Sequence, residues 1–218
     1  MARGLIFLLV GLGWSVGTWA APASREPANL DALKEEIRVY VDSGSYREDI
    51  TAVAVEATAW LERRAAQGGQ RLTVIFDLDE TLISNWSHMK EMGFGYVPGA
   101  WTIWVQSGQA AAIEPVQAVY RLARRLGIAV IFITGRPERD REGTERNLRA
   151  IGCGDYAALW CKPDGAKETT GQFKAATRAR LEREGRVIIA NIGDQTSDLV
   201  GGHAEKTFKL PNPFYLTK

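Results

Sequence analysis

The residues of this chain with the most chemistry in them are acidic, and they fall in short polar stretches that directly follow apolar runs. Asp77-Leu-Asp79-Glu-Thr81 follows Leu72 to Phe76, and Gly193-Asp194-Gln195-Thr-Ser-Asp198 follows the run that begins at Val187. Thr134-Gly135-Arg136 follows Ile128 to Ile133. A carboxylate at the end of a buried apolar run is costly unless it is paired or binds a cation, so Asp77 and Asp194 together point to a metal site. Ligation by oxygen alone favours a hard cation such as magnesium over zinc. A magnesium ion held by few carboxylates keeps some of its water and reaches a substrate phosphate. Donors for such a phosphate are present in Thr134, in the amides around Gly135, and in Lys174 near the start of a later helix, with Lys162 and Lys167 as alternatives for the lysine. Asp77 and Asp79, two residues apart, allow a nucleophile and a general acid/base to approach one phosphorus.

These stretches need a scaffold that brings strand ends together. From Arg71 onward, short apolar runs alternate with amphipathic helices, the pattern of an α/β fold with a mostly parallel sheet. Strands are expected at Leu72–Phe76, Ile128–Ile133, Tyr156–Trp160, Val187–Asn191 and Thr207–Leu210, with helices near 115–126, 144–151 and 172–184. Ligands of open parallel sheets bind beyond the carboxyl ends of the strands, where the polar stretches fall. Two helices precede this unit, at about 29–41 and 46–66, giving an expected division into N-terminal helices (29–70) and a core (71–218). The segment 85–108 is too long for a simple crossover and is expected to form a small cap. It holds Trp86, Phe94, Tyr96, Trp101 and Trp104. Trp101 and Trp104 share one helical face, which usually means core packing, with stacking on an aromatic leaving group as the secondary reading.

Asp77-Leu-Asp79-Glu-Thr81 resembles the DxDxT motif of haloacid dehalogenase (HAD) phosphatases, and Ile133-Thr-Gly-Arg136 and Gly193–Asp198 resemble their second and fourth motifs. Trp101–Trp104, Asn191–Leu199 and Phe208–Phe214 are similar to stretches of the acid phosphatases related to plant vegetative storage proteins and bacterial class B enzymes. The resemblance implies a HAD-like Rossmannoid three-layer fold and a magnesium-dependent acid phosphatase acting on small-molecule phosphate monoesters. It implies Asp77 as nucleophile and metal ligand, and Asp79 as general acid/base that also lends its backbone carbonyl to the metal. Asp194 completes the metal site, Thr134 binds phosphate, Lys174 holds the nucleophile and the phosphoryl charge, and Asp198 stands behind them orienting Lys174 or a metal-bound water. Arg136 is read either as a structural partner of an acid on the following segment or as a direct catalytic part, and is left outside the catalytic set. A phosphotransferase would use the same site; a non-catalytic storage relative loses its main support because Asp77 is present.

Composition narrows the rest. Lys and Arg number 27 against 26 Asp and Glu, so no basic field exists to attract nucleic acid. Arg3 precedes an apolar run from Leu5 to Val16, followed by small residues that place a signal-peptide cleavage after Ala20 or Ala23. An export signal at 1–20, a linker at 21–28, a periplasmic or secreted location and no stable membrane insertion after cleavage are therefore expected. Cys153 and Cys161 are separated by an expected strand that would hold their Cα atoms about 20 Å apart, far beyond the ~7 Å limit of a disulfide, so two core thiols are expected. Only His88 and His203 are present, too few for the histidine-based acid phosphatase chemistries.

Overall fold

The computed structural model describes Met1 and residues 26–217, so the expected export signal and its cleavage lie outside the described residues. The chain enters through α1 (Leu30–Asp42), whose first amides are capped by the Asn29 side chain, and α2 (Ser45–Ala66). Tyr46, Ile50, Ala54, Ala57 and Leu61 recur along α2 at helical spacing and are all buried, so this helix packs on the sheet through one stripe. No helix among the described residues is long and apolar enough to cross a membrane.

The central strand β1 (Leu72–Phe76) is followed by a short antiparallel pair, β2 (Ile83–Ser84) with β3 (Ala111–Ala112). Between them lie α3 (Trp86–Glu91) and α4 (Pro98–Ser107), which occupy the segment expected to form a cap. α5 (Glu114–Arg125), β4 (Ala129–Pro137), α6 (Arg141–Ala150), β5 (Ala158–Lys162), α7 (Thr170–Arg183), β6 (Val187–Gly193), α8 (Thr196–Leu199) and β7 (Thr207–Lys209) complete the chain. The main sheet has the order β5-β4-β1-β6-β7 with every pairing parallel.

The period of two along each strand divides the core. Val74, Phe76, Val130 and Phe132 join the cluster packed against α2 and α5, whereas Ile75, Ile131 and Ile133 join Phe173 and Leu181 of α7 on the other side. Helices thus cover both faces, giving the expected three-layer α/β fold. Gly143 sets how closely the segment between β2 and β3 approaches this core: a Cβ there would lie 2.6 Å from the Val105 carbonyl oxygen of α4.

Strand boundaries differ from expectation most at β4 and β5. β4 does not stop at Ile133 but continues through Thr134 to Pro137, because backbone pairing with β5 resumes at Pro137–Lys162 after a register shift. Apolar periodicity ends where side chains turn polar, but the hydrogen-bond ladder does not require apolar side chains. β5 begins two residues later than expected, at Ala158, and includes Cys161. Both cysteines are buried free thiols, and burial, the largest cause at each, pushes them up to about 11.

Candidate active site

β1 sits between β4 and β6, so the residues leaving its carboxyl end lie beside both neighbours. The Asp77 amide donates to the Ile192 carbonyl at 2.9 Å, tying the end of β1 to the end of β6 and setting Asp77 next to Asp194. Immediately after β6 the chain turns back on itself through α8. Gly193 permits this reversal, since a Cβ there would lie 2.4 Å from the Asp198 Cβ. Asp198 therefore lies against the strand end, its Oδ2 accepting the Gln195 amide at 2.8 Å. Its carbonyl oxygen accepts from Arg178 at 2.7 Å and from Asn191 Nδ2 at 2.9 Å.

The outcome is a buried cluster in which Asp77, Asp194 and Asp198 each offer an oxygen within 4.8 Å of the others. Cis and trans oxygens of an octahedral magnesium at about 2.1 Å lie roughly 3.0 and 4.2 Å apart, so the spacing of the three suits one small hard cation. Asp198, expected to stand behind the metal site, is part of the cluster itself. The Asp79 carboxylate is not.

Lys174, on the first turns of α7, is buried and donates to Asp77 Oδ1 and, at 2.7 Å, to Asp198 Oδ1. Neither alternative lysine reaches the site: Lys162 ends β5 and Lys167 is exposed. A sequence signal for Lys174 existed, because with Arg178 and Leu181 it occupies the buried face of α7 at i, i+4 and i+7. Thr134 is fully buried, its Oγ1 accepting the Arg136 amide at 3.1 Å, which leaves the hydroxyl proton as a donor. Gly135 lines the cavity beside it.

Asp79 turns the other way. Arg136 grips it with Nε at 3.0 and 3.1 Å and Nη2 at 2.6 Å, and Asn85 Nδ2 adds a fourth contact at 2.9 Å. Arg136 thus pairs with the second aspartate of the first polar stretch, not with an acid on its own following segment. Behind this pair lies a network that sequence reasoning missed. Glu80, held at φ 55°, accepts the Asn85 amide at 2.6 Å, Asn85 Nδ2 at 3.1 Å and the Tyr215 hydroxyl at 2.8 Å. Trp104 Nε1 donates to Asn85 Oδ1 at 2.8 Å.

The electrostatics follow from crowding. Burial pushes the Asp77 carboxyl well up, with Asp198, Asp194 and Asp79 adding to this and only Lys174 opposing it. Burial and Asp198 likewise raise Asp194 against the donors Asn212, Gln195 and Thr81. Burial alone would lower Lys174, but Asp77 and Asp198 outweigh it and keep the ammonium charged. Burial would raise Asp79, yet the Arg136 guanidinium wins and holds it below the usual carboxylate range. Glu80 is pushed up to about 8, chiefly by burial and then by Asp79. Four aspartates thus face two cationic side chains, and the deficit of two charges suits a divalent cation.

These groups open into a cavity of about 540 Å³. Its outer wall is aromatic: Tyr96 and Trp101 line it, Trp101 lying 5.9 Å from the Arg136 guanidinium carbon. His88 lines the cavity and stacks on Trp104 at 5.3 Å. The far wall is the irregular segment after β7, including Phe214 and Tyr215.

A main sheet that is wholly parallel, with an acidic cluster and a buried lysine at its carboxyl edge, defines a three-layer α/β protein of the HAD-like class. Residues 15–218 match the sequence model of the HAD superfamily, subfamily IIIB (acid phosphatase); the chain belongs to that family and is a phosphoric monoester hydrolase. It is 35% identical over 193 residues to vegetative storage protein 1 of Arabidopsis thaliana, covering 87% of this chain and 71% of that protein. It is 33% identical over 184 residues to acid phosphatase 1 of Solanum lycopersicum, covering 82% and 72%. The class C acid phosphatase from Bacillus anthracis shares the fold, with a TM-score of 0.70 over 86% of this chain and 87% of that one at 19% identity.

Proposed function

We propose that this protein is an exported, magnesium-dependent acid phosphatase that hydrolyses small-molecule phosphate monoesters through a phosphorylated Asp77. The observation that carries the reading is the placement of Asp77 in a cluster of three carboxylates with Lys174 on one of its oxygens, at the inner end of an open cavity. Magnesium, held by Asp77, Asp194 and Asp198 with the Asp79 carbonyl, would supply positive charge beside the transferring phosphoryl group.

In the first step an Asp77 carboxylate oxygen forms a bond to phosphorus, the bond from phosphorus to the ester oxygen breaks, and the departing oxygen takes a proton from Asp79. In the second, water attacks phosphorus, its proton passes to Asp79, and the bond to Asp77 breaks. Lys174, the Thr134 hydroxyl and the Gly135 amide balance the charge on the phosphoryl oxygens. The Arg136 grip favours the ionised Asp79 that the second step needs. The first step needs it protonated, so an entering substrate has to loosen that pair, and mildly acidic solution eases the protonation. Tyr96 and Trp101 on the cavity wall suit monoesters with an aromatic leaving group.

The test is a phosphomonoester panel assayed on the mature protein with chelator and with magnesium, alongside trapping of radiolabelled phosphate on the protein. Wild type should show cation-dependent release of phosphate and labelled protein, and Asp77→Asn neither. Labelling that survives in Asp77→Asn refutes the assigned nucleophile, and full activity in chelator refutes the metal.

A further inference from the structure

The irregular segment after β7 does more than wall the cavity. Asp194 has two carboxylate oxygens with about four acceptor positions between them. Its Oδ1 accepts the Thr81 hydroxyl at 2.9 Å, while its Oδ2 accepts Gln195 Nε2 at 2.8 Å and Asn212 Nδ2 at 2.6 Å. Oδ2 is therefore filled, and only Oδ1 keeps capacity for a cation. The shortest of the three contacts comes from a residue 18 positions further along the chain.

Asn212 is built to make that contact. Pro211 has a fixed φ, and Pro213 pushes the residue before it into extended backbone, so Asn212 is restrained from both sides. Its own Oδ1 accepts the Phe214 amide at 2.8 Å and the Tyr215 amide at 3.4 Å. An oxygen committed to backbone amides leaves the NH₂ group as the end that faces Asp194, which settles the orientation of the side-chain amide. The segment is anchored beyond Asn212 as well: Gln195 Nε2 donates to the Tyr215 carbonyl at 3.2 Å, and the Thr217 amide donates to Gln195 Oε1 at 3.1 Å.

We propose that Asn212 is a positioning residue for the metal centre, holding Asp194 so that Oδ1 is the single oxygen it presents to a divalent cation. The proposal rests on the metal reading above. Partners that orient a ligating carboxylate are typically worth about 10- to 100-fold in metal affinity.

The experiment is calorimetric titration of the chelator-stripped full chain with magnesium and, as a second probe, manganese, without substrate. Three proteins are compared: wild type, Asn212→Ala and Asn212→Ser. Serine keeps a short acceptor for the turn amides but is too short to reach Asp194. Melting temperature without metal reports folding. The expected result is a dissociation constant raised about 10- to 100-fold in both variants, with the serine variant's metal-free melting temperature close to wild type. Unchanged affinity overturns the proposal, as does weakened affinity that only follows a comparable loss of metal-free stability in both variants. A wild type that binds neither cation overturns the metal reading first and this proposal with it, an outcome distinct from equal binding by all three proteins.

Discussion

Replacing Lys174 by methionine keeps the length and removes the charge from the most crowded point of the site. The Lys174 side chain is 3% exposed and its ammonium touches both Asp77 and Asp198, so its loss strands two buried carboxylates. Removing one partner of a buried ionic group typically costs about 3–5 kcal/mol, against a whole-domain stability of roughly 5–15 kcal/mol. The metal-free variant should therefore lose about a fifth or more of its stability at neutral pH, read by urea unfolding. The sign of its pH dependence follows from the raised Asp77 carboxyl. In the variant the native state binds more protons at Asp77 than the unfolded chain does, so stability falls as pH rises and returns on acidification. The difference from wild type should shrink between pH 7 and pH 5. A cation should also stabilise the variant more than wild type, because the competing ammonium is gone; saturation at about 100 times the dissociation constant contributes about 2.7 kcal/mol in either protein, and tighter binding adds to it. Phosphate release should nonetheless fall by about 10²–10³, the usual cost of deleting one charge-stabilising donor. A metal-free variant within 1 kcal/mol of wild type at pH 7, with no recovery at pH 5, would refute the account of Lys174 as counter-charge to both aspartates.

Other consequences are equally direct. Asp79→Asn should show a burst of up to one nitrophenolate per site followed by slow turnover, with alkyl phosphates losing more; equal losses for both substrates and no burst would remove Asp79 from proton transfer. Arg136→Ala removes the charge that holds the Asp79 carboxyl low, so the alkaline limb of the pH–rate profile, where the protonated Asp79 is lost, should move to higher pH, and a profile fixed in place would contradict the pairing. Gly193→Ala sets a methyl group against Asp198 and should cost about 1–3 kcal/mol in unfolding free energy together with weaker cation binding.

The strand ends and their acids were readable because two signals coincide there: apolar runs that stop at a carboxylate, and a parallel topology that gathers such ends. Asp77 and Asp194 needed only β1 and β6 to be neighbours. Arg136 was harder, because its partner Asp79 lies 57 residues away and nothing in local spacing ties β4's end to β1's. Asn85, Glu80 and Tyr215 are invisible for the same reason: their bonds join three distant segments through side chains, without periodicity. The segment after β7 was marked only by the resemblance of Phe208–Phe214 to a family stretch, which does not say what Asn212 faces. Strand limits slipped at β4 because hydrogen bonding outlasts the apolar pattern.

The order in which the site's parts leave the ribosome has a consequence of its own. Asp77 and Asp79 are made early, Asp194 and Asp198 much later, and Asn212 and Tyr215 after all of them. A nascent chain that has released β1 through β5 can begin to collapse, yet it has neither the β6 partner of β1 nor the side chains that close the acidic cluster. A chain released only through β5 therefore holds Asp77 without the side chains that share its cluster.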